Sequence, residues 1–198
     1  MSTTEPKERR EQLVELFREA ERCTKCPLHE NRSTVVFGAG NADADLMFVG
    51  EAPGAEEDRM GMPFVGRSGG VLDQLLNGIG ISRDDVFIAN VVKCRPPDNR
   101  NPSAAEIRTC SPYLERQVEL VQPRLICTLG NFATKLLSAD KSGITKVHGR
   151  VAAATIGSRE VSLYPMFHPA AALRSPSYAD GLREDFQRIP SLLEEATG

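Results

Sequence analysis

Four short apolar runs alternate with helix-like segments along the chain, and this alternation constrains the fold more than any other feature. The runs are 45-DLMFVG-50, 85-DVFIANVVKC-94, 124-RLICTLG-130 and 161-VSLYPMF-167. Each run is rich in β-branched and aromatic residues, as is typical of strands buried on both faces of a sheet. The sequence therefore predicts a three-layer α/β/α fold with a central, mostly parallel four-stranded sheet.

Helical patterns fill the segments between the predicted strands. Residues 68–79 predict a helix with Ser68 as its N-cap. Residues 111–121 predict a helix with Ser111 as cap and Pro112 at its first position. Further helices are expected at 6–22, 131–138 and 178–196, and a hairpin-like excursion at 147–160.

Length and composition limit the classes of protein to which this chain can belong. Its 198 residues contain no repeat, so we expect a single domain over 1–198, with an N-terminal helix within 1–22 packed on it. No apolar run approaches the roughly 18 residues of a membrane span, and the N-terminus lacks the apolar core of a secretory signal. We therefore expect a cytoplasmic protein that does not bind membranes. The formal net charge of −3 argues against a non-specific DNA coat.

Four of the five cysteines have a spacing that indicates a metal centre. Cys23 and Cys26 form a C-x2-C pair, and Cys94 and Cys110 form a C-x15-C pair. In a cytosolic chain such clustering favours metal binding over disulfides. Four thiolates suit either a [4Fe–4S] cluster or zinc, and the spacing does not decide between them. Cys127 lies inside an apolar run and is expected to be a core residue.

The loops after the predicted strands lie at the edge where open parallel sheets bind ligands. Asn90 interrupts an apolar run, and a buried amide there needs hydrogen-bond partners. Phe64 follows a Gly-x-Pro turn that can hold its ring rigidly, and Pro169 fixes the loop that begins at His168. We therefore expect these loops to converge on one crevice.

Together these loops and cysteines resemble the family-4 uracil-DNA glycosylases, the iron–sulfur branch of that superfamily. The matching segments are 50-GEAPG-54, 61-GMPFVGRSG-69, 90-NVVKCRPPDNRNP-102, 166-MFHPAAALR-174 and the four cysteines. The resemblance implies a monofunctional DNA repair glycosylase. Such an enzyme flips deoxyuridine out of DNA, hydrolyses its N-glycosidic bond, releases uracil and leaves an abasic site. The partner would be single- or double-stranded uracil-containing DNA, and a monomer is expected.

The resemblance also implies a structural [4Fe–4S] cluster on Cys23, Cys26, Cys94 and Cys110. This cluster would tie the N-terminal helix to the loop after the second strand and to the next helix. Because these segments are distant in sequence, such a cross-link closes long loops and is expected to stabilise the fold.

Individual residues receive roles from the same resemblance. Phe64 would stack on the uracil, Asn90 would pair with uracil O4 and N3–H, and His168 would donate a hydrogen bond to O2. That donor would stabilise the negative charge that grows on the leaving base. The remaining assignments are Gly50, Glu51 and Ala52 in the uracil pocket, Leu173 as the wedge that fills the vacated stack, and Ser68, Lys93, Arg95, Arg100 and Arg174 as contacts to the DNA backbone or groove.

Glu51 is assigned to catalysis with two alternative roles. Related branches carry an Asp one position later, where this chain has Ala52. Glu51 either orients the attacking water and supports the cationic sugar, or stands beside uracil C5 and excludes the methyl group of thymine. In relatives that exclusion falls to a Tyr at the position of Gly54. The three carboxylates at 56–58 are expected to form a solvated or capping turn.

Two other functions compete with a glycosylase. An iron–sulfur redox protein would need a dinucleotide fingerprint, but 38-GAGNAD-43 precedes a predicted strand instead of following it. A non-catalytic damage binder, or a relative that traps its product covalently, is the second alternative. The trapping branch carries a basic insertion with an extra His after the second strand, and 94-CRPPDNRNP-102 has none. Asn90 and His168 favour turnover.

Overall fold

The centre of the protein is a six-stranded sheet, seen in a computed structural model that describes residues 5–195. The strands lie in the order β1–β3–β2–β4–β6–β5. The four inner strands are parallel, and β1 and β5 are antiparallel at the two edges. Their bounds are β1 (Ala39–Gly40), β2 (Leu46–Gly50), β3 (Phe87–Asn90), β4 (Leu125–Leu129), β5 (Ala152–Ile156) and β6 (Arg159–Met166).

The predicted α/β fold with a mostly parallel sheet is confirmed, but the predicted number of four strands is too small. The two additional strands lack the continuous apolar sequence of a buried strand. β1 has two residues, and β5 is largely exposed. The hairpin-like excursion at 147–160 supplies β5, which pairs with β6 and extends the sheet.

Helices cover both faces of the sheet. Short 3-10 turns lie at Pro27–His29, Arg83–Asp85 and Pro97–Asn99. The α-helices are α1 (Pro6–Glu21), α2 (Ala55–Met60), α3 (Arg67–Gly78), α4 (Ala104–Val121), α5 (Asn131–Leu137), α6 (Ile144–Val147), α7 (Pro169–Ala172), α8 (Pro176–Gln187) and α9 (Ile189–Glu195).

Side chains alternate along the inner strands and enter two separate cores. In β2, Met47 and Val49 share a core with α1 and α4. Leu46 and Phe48 share the other core with α3, α8 and α9, and Phe48 stacks on Phe186 of α8 with ring centroids 5.6 Å apart. Burial on both faces explains why the strand sequences are continuously apolar instead of alternating.

The parallel strands bring four loops to one edge of the sheet. β2 ends at Gly50, which pairs with Asn90 at the end of β3. β4 and β6 end at Leu129 and Met166, which also pair with each other. His168 follows β6 directly, so the loops predicted to converge do lie at one edge.

Two element boundaries beside this edge differ from the prediction. α3 begins at Arg67 with Gly66 as N-cap, so Ser68 lies inside the first turn and does not cap it. β3 ends at Asn90, four residues before the predicted end at Cys94. The chain after β3 is therefore a turn that runs towards α4.

α4 begins earlier than predicted. Ser103 caps it, because the Ser103 hydroxyl accepts the N–H of Glu106 while the Glu106 carboxylate accepts the N–H of Ser103. This reciprocal pair satisfies two N–H groups that the helix start would leave unpaired. The prediction of a start at Pro112 is wrong, and Cys110, expected before this helix, lies inside it.

The N-terminal helix packs on α4. Arg9 Nε donates to the carbonyl of Leu120 at 2.9 Å, and the Tyr113 hydroxyl donates to Glu19 at 3.1 Å. The packing predicted for residues 1–22 includes residues 1–4, which lie outside the described residues. Among the described helices, none is long and apolar enough to cross a membrane.

Candidate active site and metal centre

Asn90 and Phe64 meet at Gly50 at the carboxyl edge of the sheet, and His168 lies against Phe64. A Cβ atom on Gly50 would lie 2.4 Å from Asn90 Oδ1 and 2.8 Å from Phe64 Cζ, so a larger residue would collide with both. The Phe64 and His168 rings stack with centroids 5.7 Å apart. The structure therefore brings together the three side chains that the sequence singled out.

The Asn90 side chain lies beside Gly50 and Phe64. The residue is only 2% exposed. Its side-chain amide makes no hydrogen bond to residues 5–195, and the amide is not completely enclosed. Its backbone carbonyl accepts a hydrogen bond from Lys93 Nζ at 2.8 Å. A buried amide with an open edge is a group that a ligand can satisfy.

Lys93 lies inside the protein, so its predicted contact with a phosphate is wrong. It is 2% exposed, and its ammonium also donates to Gln117 Oε1 at 2.5 Å. Burial lowers the pKa of Lys93 to about 8. The turn after β3 encloses the lysine between β3 and α4. Arg100, a second predicted phosphate contact, is held by two hydrogen bonds to the Glu106 carboxylate.

The hydrogen bonds of His168 determine which ring nitrogen carries the proton. His168 is the N-cap of α7, and the N–H of Ala170 donates to its Nδ1 at 3.0 Å. An accepting Nδ1 carries no proton, so the proton of the neutral ring is on Nε2. Burial lowers the pKa of His168 to about 4. At neutral pH the ring is therefore uncharged and offers Nε2–H as a donor.

Phe64 adopts an unusual backbone conformation. Its φ is 52°, in the left-handed region that bulky residues rarely occupy, and its side chain is buried. The carbonyl of Phe64 accepts a hydrogen bond from Arg83 Nη1 at 2.9 Å. Sequence reasoning missed Arg83, because a contact across 19 residues leaves no periodic pattern.

The acidic turn after β2 has a structural role. Glu57 Oε1 accepts the N–H groups of Val65 and Gly66, the two residues after Phe64. Asp58 is buried and accepts the N–H of Ser33 through both carboxylate oxygens. The expected solvated or capping turn is instead the first turn of α2, which has no side-chain cap, and its Glu57 carboxylate binds the loop after Phe64.

Glu51 follows Gly50 and is half-buried beside the pocket. Burial raises the pKa of its carboxyl, and no residue in the described chain donates a hydrogen bond to it. The N–H of Val92 binds the Glu51 backbone carbonyl at 3.2 Å, which fixes the main chain. The neighbouring Ala52 packs against the core. The Glu51 carboxylate is thus placed to bind a water molecule or a ligand.

The four predicted metal ligands line one cavity. Cys23, Cys26, Cys94 and Cys110 surround it together with Arg32 and other side chains. Within residues 5–195, no three His, Cys, Asp or Glu side chains are close enough to hold a single metal ion. Four thiolates that line one cavity suit either a [4Fe–4S] cluster or zinc.

Two hydrogen bonds reach the sulfurs of this cavity. Arg32 Nη1 donates to Cys94 Sγ at 3.2 Å, and the N–H of Lys93 donates to Cys110 Sγ at 3.3 Å. Burial raises the pKa of Cys110 to about 11, so coordination would release a proton from the thiol. Cys127 is fully buried in the opposite core, as predicted.

The residues predicted to contact DNA differ in exposure. Leu173 is 51% exposed directly after α7, which is uncommon for leucine, and Arg174 follows it at the surface. Ser68 is half-buried in the first turn of α3. Arg95 is half-buried, and its Nε donates to Asn99 Oδ1 at 2.8 Å. Leu173 and Arg174 are therefore the most accessible of these residues.

Comparisons with known proteins show the family of this chain. Residues 37–189 match the model of the uracil DNA glycosylase superfamily. The chain is 45% identical over 185 residues to a type-4 uracil-DNA glycosylase of Sulfurisphaera tokodaii, covering 91% of this chain and 84% of the relative. It is 44% identical to the type-4 enzyme of Thermotoga maritima, covering 94% and 97%. A type-5 uracil-DNA glycosylase of Pyrobaculum aerophilum is 34% identical, covering 75% and 74%.

Proposed function

The chain belongs to the uracil DNA glycosylase superfamily, and we propose that it is a DNA repair enzyme that hydrolyses the N-glycosidic bond of deoxyuridine. It takes the nucleotide out of the base stack, releases free uracil and leaves an abasic site. The observation that carries this function is the grouping of three side chains: the Asn90 amide and the Phe64 ring meet at Gly50, and the His168 ring stacks on Phe64. A flat base with a hydrogen-bonding edge fits this arrangement.

Asn90 discriminates uracil from cytosine. Its NH2 donates to uracil O4, and its carbonyl oxygen accepts the uracil N3–H. Cytosine presents a donor and an acceptor in the opposite order, so both contacts would become repulsive. Because Asn90 is buried, these mismatched groups could not turn to water instead.

His168 and Glu51 act on the bond that breaks. As the N1–C1′ bond lengthens, negative charge grows on the uracil and positive charge grows on the sugar. The Nε2–H of His168 donates to uracil O2 and stabilises the negative charge. The Glu51 carboxylate, which no described residue bonds, orients the attacking water and stabilises the cationic sugar.

Replacing Glu51 separates its two candidate roles. In the native enzyme we expect activity to fall as pH drops through the raised pKa of the Glu51 carboxyl, because the ionised form binds the water. We expect Glu51→Gln to lower kcat by about 100-fold and to remove this acid limb. Steady-state rates from pH 4 to 8 measure both effects, with Glu56→Gln as the exposed control. If Glu51 instead excluded thymine, Glu51→Gln, which has the same size, would keep the acid limb, and Glu51→Ala would release thymine.

A release assay tests the function itself. Purified protein is incubated with oligonucleotides that contain U:G, U:A or single-stranded uracil, without added cofactor. We expect free uracil and abasic DNA from these substrates. Intact DNA after long incubation with iron-loaded protein would contradict the assignment of the protein as an enzyme. Tight binding without release would favour the damage binder.

The cysteine cavity holds a [4Fe–4S] cluster in this proposal. The support is the set of four thiols that line one cavity and the similarity to type-4 enzymes. When bound, the cluster supplies a cross-link and no redox step. It joins the end of α1 to the turn after β3 and to α4. Because these segments are far apart in sequence, the cross-link stabilises their arrangement.

Removing one ligand tests this cross-link. We expect Cys110→Ala to lose most of the roughly four iron atoms per chain, together with the brown absorbance. We expect its Tm to fall by about 10 °C, since a lost cross-link costs a few kcal/mol in a chain of this size. Iron analysis and thermal unfolding measure these effects. The control Cys127→Ala, in the opposite core, should keep its iron. Full iron content in Cys110→Ala, or zinc in the native protein, would contradict the proposal.

The substrate is uracil in single- or double-stranded DNA, and the enzyme acts as a monomer. Leu173 fills the vacated stack, and Arg174, Ser68 and Arg95 contact the backbone or groove around it. We also propose that residues 1–198 form one glycosylase domain.

A further inference from the structure

We propose that Arg83 and Glu57 are positioning residues that fix the backbone of Phe64 and thereby hold its ring against the flipped base. This inference rests on the proposed function, because it assumes that Phe64 stacks on uracil. It concerns how the ring is held in a conformation that phenylalanine seldom adopts. Neither Arg83 nor Glu57 touches the base.

The backbone of Phe64 needs an explanation. Within the described chain, the other non-glycine residues with positive φ are Asp98, Asn99 and Gln122, which lie at a tight turn and at a helix end. Asparagine and aspartate enter this region comparatively easily, whereas a bulky side chain does not. Such a conformation persists only where its surroundings determine it fully.

Arg83 holds both carbonyl groups that define this conformation. One guanidinium nitrogen, Nη1, donates to the Phe64 carbonyl at 2.9 Å, and Nη2 donates to the carbonyl of Pro63. The first carbonyl belongs to the peptide plane after Phe64, and the second belongs to the plane before it. Fixing both planes fixes φ and ψ of Phe64. Asp73 of α3 orients the guanidinium through a hydrogen bond of 2.8 Å to Nη1.

Glu57 holds the same loop from the opposite side. Its Oε1 accepts the N–H of Val65 at 3.0 Å and the N–H of Gly66 at 2.9 Å. The peptide plane between Phe64 and Val65 is therefore bound at its carbonyl by Arg83 and at its N–H by Glu57. Two charged side chains on separate elements hold one plane, which leaves it little freedom to rotate.

The fixed backbone determines where the ring lies. Phe64 Cζ packs against Gly50, and the ring stacks on His168. A Cβ atom on Gly69 would lie 1.9 Å from the Phe64 carbonyl oxygen, so the first turn of α3 packs closely against the Phe64 backbone. If φ of Phe64 relaxed to a negative value, the ring would leave this place. Because the ring is already in place, binding of the base does not lose free energy to ordering it.

The contacts of Arg83 and Glu57 with the backbone of residues 63–66 form a clamp on Phe64. Arg83→Gln tests this clamp, and Arg59→Gln is the matched control. Arg59 is an exposed arginine of α2 that pairs with Glu56 and does not contact the pocket loop. We expect Arg83→Gln to weaken inhibition by free uracil about tenfold and to lower kcat/KM by a similar factor, the usual size for a lost charge-assisted hydrogen bond. The control should retain native values, and a Tm near the native value should show that Arg83→Gln is folded.

A double-mutant cycle with Phe64→Ala separates positioning from general stability. If Arg83 acts through the ring, Phe64→Ala with Arg83→Gln should be no worse than Phe64→Ala alone. If the two losses multiply, or if Arg83→Gln binds uracil normally, the proposal is overturned. Native protein that releases no uracil would instead overturn the proposed function.

Two variants at position 57 test the second half of the clamp. Glu57→Gln keeps a carbonyl oxygen that can accept both N–H groups, so uracil inhibition should stay within about threefold of the native value. Glu57→Ala removes the acceptor and should weaken uracil inhibition about tenfold. Equal losses in the two variants, or no loss in either, would overturn the role of Glu57.

Discussion

Replacing His168 with asparagine is expected to lower kcat for uracil release by about 10²–10³-fold, the usual effect of removing one transition-state donor. Asparagine keeps an oxygen that can accept the N–H of Ala170, so the start of α7 remains capped. Its shorter side chain cannot place a donor where Nε2–H lies. We expect a much smaller change in KM, because the lost hydrogen bond is strongest while charge develops on uracil O2.

Single-turnover rates on uracil-containing oligonucleotides measure this effect, and thermal unfolding shows whether the variant is folded. His148→Asn is the control, because His148 pairs with Asp185 of α8 and has no place in the proposed chemistry. A His168→Asn variant with native kcat would show that the imidazole only caps α7. A loss confined to KM would show that it binds the ground state.

The same residue makes stability depend on pH in a defined direction. The pKa of His168 is about 4 in the folded protein, below its ordinary value of 6.5, because burial disfavours the charged ring. The folded state therefore favours the neutral form. Its contribution is complete above pH 6.5 and is lost as pH falls through about 4, since the unfolded chain takes up the proton first. Denaturant unfolding from pH 7 to 4 should show a smaller loss of stability in His168→Asn.

The neutral ring also follows from local structure. Protonation at Nδ1 would displace the N–H of Ala170, which already uses that lone pair. The protein therefore supplies a neutral donor at Nε2. His168 thus works in its neutral form, whereas Glu51 works in its ionised form.

Sequence patterns predicted the inner sheet because burial on both faces leaves a direct trace. β2 and β4 are continuous apolar runs. Because the inner strands are parallel, the residues that follow them all lie at one edge of the sheet. Asn90 and His168 could be found because polar residues at strand ends are conspicuous. β5 could not, since an exposed edge strand such as 152-AAATI-156 needs no apolar face.

Other features were obscured by competing signals. The capping box 103-SAAE-106 indicates the start of α4. Ser111 followed by Pro112 is also typical of a helix start, however, and led to the wrong boundary. Lysine is usually exposed, so the residue type of Lys93 did not indicate that this side chain is buried.

The clamp on Phe64 could not be predicted from the sequence, for a different reason. Arg83 lies 19 and 20 residues, and Glu57 8 and 9 residues, from the groups they bind, in a turn and a helix with their own local patterns. Only the folded chain brings them together. Motifs thus located the residues that would touch the base, whereas the groups that hold those residues depend on tertiary contacts.

Changing Asn90 to aspartate is expected to lower the preference for uracil over cytosine by about 10⁴-fold, because a buried polar edge rejects a mismatched partner strongly. An ionised carboxylate would face uracil O4 with an acceptor, and two acceptors repel. Cytosine instead offers its N4–H2 group to that oxygen. Its N3 is an acceptor, and a protonated aspartate can donate to it.

The pH dependence of cytosine release should therefore be distinctive. Position 90 is 2% exposed, and burial raises the pKa of a carboxyl group placed there. We expect cytosine release to increase as pH falls and the new carboxyl group takes up a proton. Uracil release should be low where the carboxyl group is ionised, because the donor to O4 is then missing, and should recover where the group is protonated and can donate to O4.

Release of uracil and cytosine from matched single-stranded oligonucleotides, from pH 5 to 8, gives both rates. Asn77→Asp adds the same charge on the exposed side of α3 and should leave the preference for uracil unchanged. Thermal unfolding separates lost recognition from lost folding, because a buried carboxyl group also lowers stability. A folded Asn90→Asp variant that still releases uracil and rejects cytosine would show that the Asn90 amide does not contact the base. Selectivity would then have to come from the shape of the pocket between Phe64 and His168.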